Sequence, residues 1–374
     1  MLIRTFRTGL LVAAWLCAGL FSSSCFAQES IEDTFQRFDT RTVYGVALEV
    51  RENRVVDTFD STDDTAYDAP ALWEHRTSYF AEFLYLHPRG IDMAHAMQQA
   101  GTGGAGTTPF GRVGVLDPGA EAGIRTGFNF CLDSCSSLAA TFSHFESTAR
   151  DSLDMPTTPG MNGTVGSLVH HPGASLIGSA GPVTAAYGVD FDTVDFDYRR
   201  LICGGEDGYL NYSLGVRYGR LEQNFVQQGT FAGAGGAIRT TTDIDFDGVG
   251  IRFGLDGERR IGCGAWTFYG KSSISALAGE YRSDYLMLNT TGSVVLANSV
   301  WHDDRFTTVL DYELGLAWRD RCNRWRLSVG YTAAFWFNAV TTPEFIRAVQ
   351  NSNFVDLGDT VSFDGLTARV EYQW

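Results

Sequence analysis

Along most of the chain, apolar side chains return at every second residue. Near the C-terminus, Leu366, Ala368, Val370, Tyr372 and Trp374 share one parity, and Thr367, Arg369, Glu371 and Gln373 share the other. A strand turns successive side chains to opposite faces, so this stretch is a strand with one greasy and one polar side. The same alternation runs through Leu210, Tyr212, Leu214, Val216 and Tyr218, through Leu310, Tyr312, Leu314, Leu316 and Trp318, and through Leu327, Val329, Tyr331, Ala333 and Phe335. Small or charged residues stand between them. About ten strand-like stretches are predicted by this pattern: 72–88, 119–131, 137–148, 183–202, 208–226, 239–256, 263–282, 304–319, 323–338 and 360–374. In the first, Tyr79 to Leu86 is apolar on both parities apart from Glu82, so its faces are the hardest to tell apart. Two stretches change parity. Phe191 gives way to Val194, Phe196 and Tyr198, and Ile244 and Phe246 give way to Val249, Ile251 and Phe253. Each switch predicts a one-residue bulge, near Thr193 and at Asp247-Gly248.

The connections between stretches alternate in length. Leu132–Ser136, Cys203–Asp207, Gly257–Gly262 and Asp320–Cys322 are short, whereas 89–118, 149–182, 227–238, 283–303 and 339–359 are long. Short turns on one side and long loops on the other are the asymmetry of an outer-membrane barrel, with the short turns periplasmic. The predicted fold is therefore all-β: a transmembrane antiparallel up-and-down barrel of about ten strands, with eight to twelve allowed by the pattern. The closing strand should pair with the first. Its residues Leu366, Ala368, Val370, Tyr372 and Trp374 should face lipid and serve as the signal read by barrel-assembly machinery.

Composition agrees without deciding. The hydrophobic fraction of 44% is ordinary, while 42 glycines and 13% aromatics suit strands, turns and interfacial girdles. Mean hydropathy is -0.08, as expected when only alternate residues meet lipid. Residues 1–27 read as a cleaved signal peptide: Arg4 and Arg7 precede an apolar run from Gly9 to Phe21, and small residues lead to Ala27. Residues 28–71 are polar and irregular, and read as a periplasmic arm or partial plug. Residues 72–374 form the barrel. The net charge of -16 argues against nucleic acid as a partner. Cys131, Cys135, Cys203, Cys263 and Cys322 all lie at or beside short turns, and Cys131 and Cys135 flank one turn closely enough to suggest a disulfide.

Ala81-Glu82-Phe83-Leu84-Tyr85-Leu86, the Asp190–Tyr198 stretch, Leu214-Gly215-Val216-Arg217-Tyr218 and the closing Phe363–Trp374 carry a family resemblance. Over roughly 72–374 the chain resembles the Legionella-type major outer membrane proteins and their pore-forming relatives. The resemblance implies an outer-membrane β-barrel that forms a pore, and brings no catalytic residues. The long acidic arm departs from the family's pattern.

The chemistry then lies in the lumen. Glu82, Arg125, Arg217, Arg252, Lys271, Asp311, Glu313, Arg326, Arg369 and Glu371 are the candidate pore-lining charges. They read equally well as a constriction that selects ions by sign and as a cross-braced interior that fills a narrow barrel. The expected partners are outer-membrane lipid and small hydrophilic solutes or ions, with a homo-oligomer left open and no cofactor or metal. Asp243–Gly248 begins like a calcium loop, but the twelfth position, where an acidic ligand belongs, is Gly254. Gly270-Lys271-Ser272 lacks the glycine cradle of a phosphate loop. An adhesin or envelope-organising anchor working through loops 89–118 and 149–182 is the alternative function. An omptin-like protease built from His302, Asp303 and Asp190/Asp192 is the remote one, because that chemistry needs an acid and a histidine aimed at one water.

Overall fold

The computed structural model describes residues 71–374, apart from 104–106, 158–162, 175, 234–235 and 263. The expected signal peptide, nearly all of the expected arm and Cys263 lie outside the described residues. The strands are β1 (Ser78–Arg89), β2 (Met93–Ala100), β3 (Thr108–Leu116), β4 (Glu121–Asp133), β5 (Ser136–Leu153), β6 (Gly163–Ser167), β7 (Val183–Gly204), β8 (Gly208–Phe231), β9 (Gly236–Arg260), β10 (Trp266–Asn289), β11 (Val294–Arg319), β12 (Trp325–Ala339) and β13 (Asp359–Gln373). One helix, α1 (Thr342–Asn351), lies between β12 and β13.

A closed barrel runs in the order β1-β13-β12-β11-β10-β9-β8-β7-β5-β4, all pairs antiparallel, and each of the ten predicted stretches contributes one of its strands. The closing strand pairs with the first, Tyr372 opposite Tyr79 and Arg369 opposite Glu82. That pairing separates the faces of β1: Phe80, Glu82, Leu84 and Leu86 point inwards, while Tyr79, Phe83 and Tyr85 are exposed. On β13, Leu366, Ala368 and Val370 are exposed, as is Trp374 just past its end, and Tyr372 is half-covered by its neighbours Trp325 and Trp374. With Leu214, Val216, Ile251, Leu316 and Val329 they form the apolar band around the barrel.

The two parity switches are not bulges. Pairing is unbroken at Thr193 and at Asp247-Gly248 on both flanking strands. Instead the surroundings invert. Phe191 (6% exposed) and Phe246 (0%) face the barrel interior, as do Asp195 and Arg252 further down the same parity. The outward parity carries Asp190 and Asp192, then Phe196, on β7, and Asp243, Asp245 and Asp247, then Val249 (60% exposed), on β9. The strands leave the lipid band and continue into water, where apolar residues turn inwards and polar ones outwards. Register shifts do occur, but elsewhere, for example at Leu201/Cys203 and Met287/Leu288.

This projection also corrects two of the expected long loops. Most of 227–238 and 283–303 is strand, leaving only the four-residue links 232–235 and 290–293. The other outer loops fold back onto the barrel. β2, β3 and β6, drawn from 89–118 and 149–182, make one three-stranded sheet in the order β3-β2-β6. The 339–359 loop turns inwards and buries Val340, Thr342, Phe345, Ile346 and Val349. α1 begins after Thr341 with a proline in its first turn and ends at Ser352, whose left-handed conformation lets its N–H reach Ala348 and Val349.

Candidate functional site

The barrel interior has two layers, set by what each strand carries on its inward parity. In the periplasmic half, among the described residues, eight basic side chains (Arg125, Arg199, Arg217, Arg252, Lys271, Arg319, Arg326 and Arg369) meet eight acidic ones (Glu82, Asp195, Asp197, Asp256, Glu258, Asp311, Glu313 and Glu371), and every one is in an ion pair. All ten sequence-predicted lumen charges are here. Arg217 grips Asp195 with two nitrogens at 2.6 and 2.8 Å and reaches Asp311 at 2.6 Å. Arg125 bridges Glu82 and Glu313, both at 3.0 Å, and Lys271 closes on Glu313 at 2.8 Å. Glu258 accepts from Arg319 at 3.0 Å and from Arg326 at 3.2 Å. Arg252 pairs with Asp197. Arg369 lies over the Phe80 ring, its guanidinium 3.5 Å from the centroid.

Asp195, Asp197, Arg199, Asp256, Glu258 and Arg319 belong to the same network and were not singled out in the sequence. Their signal was present, since each holds the inward parity of its strand. On β7 it was hidden by reading Phe191 as lipid-facing and inserting a bulge before Asp195.

Two cavities lie in this layer, of about 160 Å³ between Arg125, Asp195, Arg217 and Asp311 and about 80 Å³ towards the periplasmic mouth, beside Glu258, Arg326 and Glu371. The mouth itself is crossed by the residues before β1. His75 places Nδ1 2.8 Å from Ser137 Oγ and Nε2 3.3 Å from Asn211 Oδ1, and Arg76 donates to the Asn323 carbonyl at 3.0 Å. Trp73 lies on Gly204, where a Cβ would come within 2.7 Å of it. Burial holds the His75 imidazole below its ordinary pKa, in the neutral form.

Above the charges comes a layer of rings. Phe145, Phe191 and Phe363 form a triangle with centroids 4.7–5.7 Å apart. Trp336 continues it from Phe191 to Phe246, and Phe246 stacks on Tyr281 at 4.5 Å. Trp336, on β12, reaches across to Gly219 on β8, where a Cβ would meet its ring at 3.1 Å. The glycine makes room for the septum. Above it the inward loop and its helix share one buried apolar cluster with Tyr187, Phe225, Tyr281 and Tyr285.

The remaining candidates fall apart. His302 sits 3.4 Å from Glu280, not against Asp303, which pairs with Arg305 on the opposite face of the strand. Asp190 and Asp192 point outwards on β7, four strands away from β11, or about 19 Å at the usual strand spacing. Asp192 is instead 2.8 Å from His144. Asp243, Asp245 and Asp247 lie on one continuous strand, so no loop wraps a cation. Cys131 and Cys135 are free thiols, contrary to the expected disulfide. Cys131 stands opposite Ser137 in the ladder and its thiol donates to the His75 and Asp133 carbonyls, while Cys135 is held in the turn by its N–H on Asp133. Cys203 is disulfide-bonded.

A family model described as Legionella pneumophila major outer membrane protein precursor matches residues 74–373. No curated protein matches the chain. Among solved structures, the outer membrane protease OmpT from Escherichia coli is 12% identical, with 82% of this chain and 100% of that one covered and a TM-score of 0.45. A Pseudomonas aeruginosa FadL homologue is 6% identical, covering 80% of this chain and 90% of that one at a TM-score of 0.21. The Pseudomonas putida toluene transporter TodX is 8% identical, covering 82% and 90% at 0.23. Likenesses this distant carry no argument about function.

Proposed function

The chain belongs to the Legionella pneumophila major outer membrane protein family and resides in the outer membrane, and from that premise we propose that it is a narrow, gated conduit for small hydrophilic solutes or ions, closed in the conformation described. The observation that supports this is the polar lower lumen: sixteen paired charges around two cavities. Stability alone is a weak reason for such a lining. Buried ion pairs often lose several kcal/mol to desolvation, and well-packed apolar residues hold a core as well or better. A charged interior with space in it suits a route for polar solutes. The ring septum and the inward loop account for its closure, and ten strands leave room for a narrow path only. The closing strand, with Trp374 exposed at its end, is the segment we assign to recognition by the assembly machinery.

Planar-bilayer recording tests the conduit. Folded protein, verified by its altered gel mobility before heating, should give small, infrequent conductance steps. Silence across repeated insertions, with a known porin conducting in parallel, would refute the reading.

A second reading is favoured by one feature. Loops 89–118 and 149–182 together build a single sheet at the outer end, with Phe110, Val113 and Val115 exposed on β3. That sheet is a surface suited to attachment, with the barrel as its anchor. Cells expressing a variant without both loops should then lose attachment to host or matrix, and undiminished attachment would end this alternative.

A further inference from the structure

The barrel wall is uneven in height. β5, β7, β8, β9, β10 and β11 rise well beyond the lipid band, whereas β12 ends at Ala339, β13 starts at Asp359 and β1 ends at Arg89. β11 and β12 pair only from Thr308 downwards, so Val294–Thr307 has no strand on that side among the described residues. The outer half is thus a trough open along one flank, and residues 340–358 enter it through the gap.

This segment fills the trough with apolar side chains but is fastened by a few polar contacts. Gln223, fully buried on β8, donates from Nε2 to the Val340 carbonyl at 2.7 Å. Its Oε1 accepts from the Thr342 N–H at 3.0 Å and from Tyr187 at 2.8 Å. At the far end Gln350 donates to the carbonyls of Leu168 and His170, and Arg305 to that of Leu357. Left-handed residues flank the segment or lie in it: Asn338, Ser352 and Asp356, with φ of 62, 51 and 57°. Such positions bend the chain abruptly without glycine, as asparagine and aspartate tolerate them best.

Beneath the segment lie the septum and then the cavities. Several buried polar atoms in the lower lumen have no hydrogen-bond partner: Glu82 Oε2, Asp197 Oδ1, Arg252 Nε, Arg369 Nε and Tyr269 Oη. Donors and acceptors are mixed among them, and polar cavities of this kind take up water. The route is therefore wettable up to the rings; above it lie the septum and the 340–358 segment, with His95, Ser167 and Val169 of the other outer loops bonded beside that segment to the inward-facing Gln227 and Tyr285.

We propose that residues 340–358 are a displaceable outer plug, latched by Gln223, whose exit from the trough opens the route down to the ring septum. The inference rests on the conduit reading and adds to it the part that moves. A dry apolar constriction stops ions by excluding water, so withdrawing the plug lets water reach the septum and leaves the rings as the remaining barrier.

Three variants of the full chain test this in planar bilayers: Phe345→Asp, which expels the plug's buried ring position; Gln223→Leu, which removes the latch; and a chain in which 340–357 is replaced by a short Gly-Ser linker. Limited proteolysis within 340–358 reports whether the plug is out, and gel mobility before heating reports whether the barrel is folded. In a Phe191→Ala/Phe363→Ala background, where the septum no longer closes the route, chains with the plug cut or replaced are expected to conduct at least about tenfold more often than the same background with the plug in place. In that background a folded chain whose plug is cut freely or replaced, yet which conducts only as the plugged chain does, overturns the plug while leaving the conduit standing. If parent, plug variants and a Phe191→Ala/Phe363→Ala septum variant are all folded and silent, both the plug and the conduit fall. Should Phe345→Asp not fold, the linker variant carries the same comparison.

Discussion

His170 gives a pH response to the outer cap, the sheet of β2, β3 and β6 with its loops. Its ring stands edge-on to Phe231 with centroids 4.5 Å apart, and its Nε2 is buried without a hydrogen-bond partner. Burial pushes its pKa from 6.5 down to about 4. His95, on β2, is pushed the same way by burial, although Asp151 lies 3.1 Å from its Nε2 and opposes the shift. The folded cap therefore binds fewer protons than the opened one. Its stability is full above pH 6.5 and falls as pH drops from there through about 4. For His170 that loss amounts to about 3 kcal/mol, at 1.36 kcal/mol per unit. Protection factors of residues 163–171, exchange taken relative to the intrinsic rate at each pH, should thus fall between pH 7.5 and pH 5, and His170→Phe should reduce the change. An unaltered pH profile in that variant would show that the response sits elsewhere. None of this was legible in the chain, where His170-His171 is a pair of loop histidines. An imidazole's environment depends on residues distant in sequence, here Phe231 and the Gln350 contact to its carbonyl.

At the scale of the strand, the period of two told reliably which side chains share a face, and tertiary height told what that face meets. β12 illustrates the first: Leu327, Val329 and Tyr331 are all exposed, while Arg326, Ser328 and Thr332 are buried. β7 and β9 illustrate the second, where one parity passes from ring septum to charge network without a bulge. The outer lengths of β10 and β11 were missed because the lipid-style alternation stops there and charged residues such as Asp284, His302 and Asp303 imitate a loop. The inversion makes a contrast that stability measurements can read. Val329→Arg, near the middle of the apolar band, should destabilise the barrel by about 2–4 kcal/mol. Asn298→Arg, equally outward-facing but in the projecting part of β11, should stay within about 0.5 kcal/mol. Urea unfolding in lipid vesicles separates the two, and equal costs would mean that the band extends further out than the inversion implies.

For the whole molecule, charge is distributed by compartment. The chain is strongly acidic, at -16, yet the lower lumen pairs its basic and acidic side chains one for one. Acids instead gather outside, on the outward parity of the projecting strands, where Asp192, Asp247, Glu280 and Asp304 lie along one row of the ladder with Arg220 among them. A neutral lining discriminates little by sign, and an acidic approach enriches cations modestly. Reversal potentials in asymmetric KCl should therefore show weak cation preference that fades at high salt. Strong anion selectivity would mean that ions do not follow this lumen. The cysteines teach a similar lesson about scale: sequence proximity suggested that Cys131 and Cys135 pair, and the register of the hairpin sent their side chains to different partners.

Period-two alternation and the rhythm of short and long connections were enough to determine the fold class, the ten barrel strands, the closing pair and ten of the lumen charges. These are local properties, carried by a few residues at a time. The tertiary structure alone decided that the lumen is layered, that two loops are really strands, that the others fold into a sheet and a plug, and that Phe191 and Phe246 face a septum and not lipid. Parity names a side of the wall. Whether that side meets lipid, water or another ring depends on how high the residue stands in the barrel and on what folds in from elsewhere, and no local pattern encodes either.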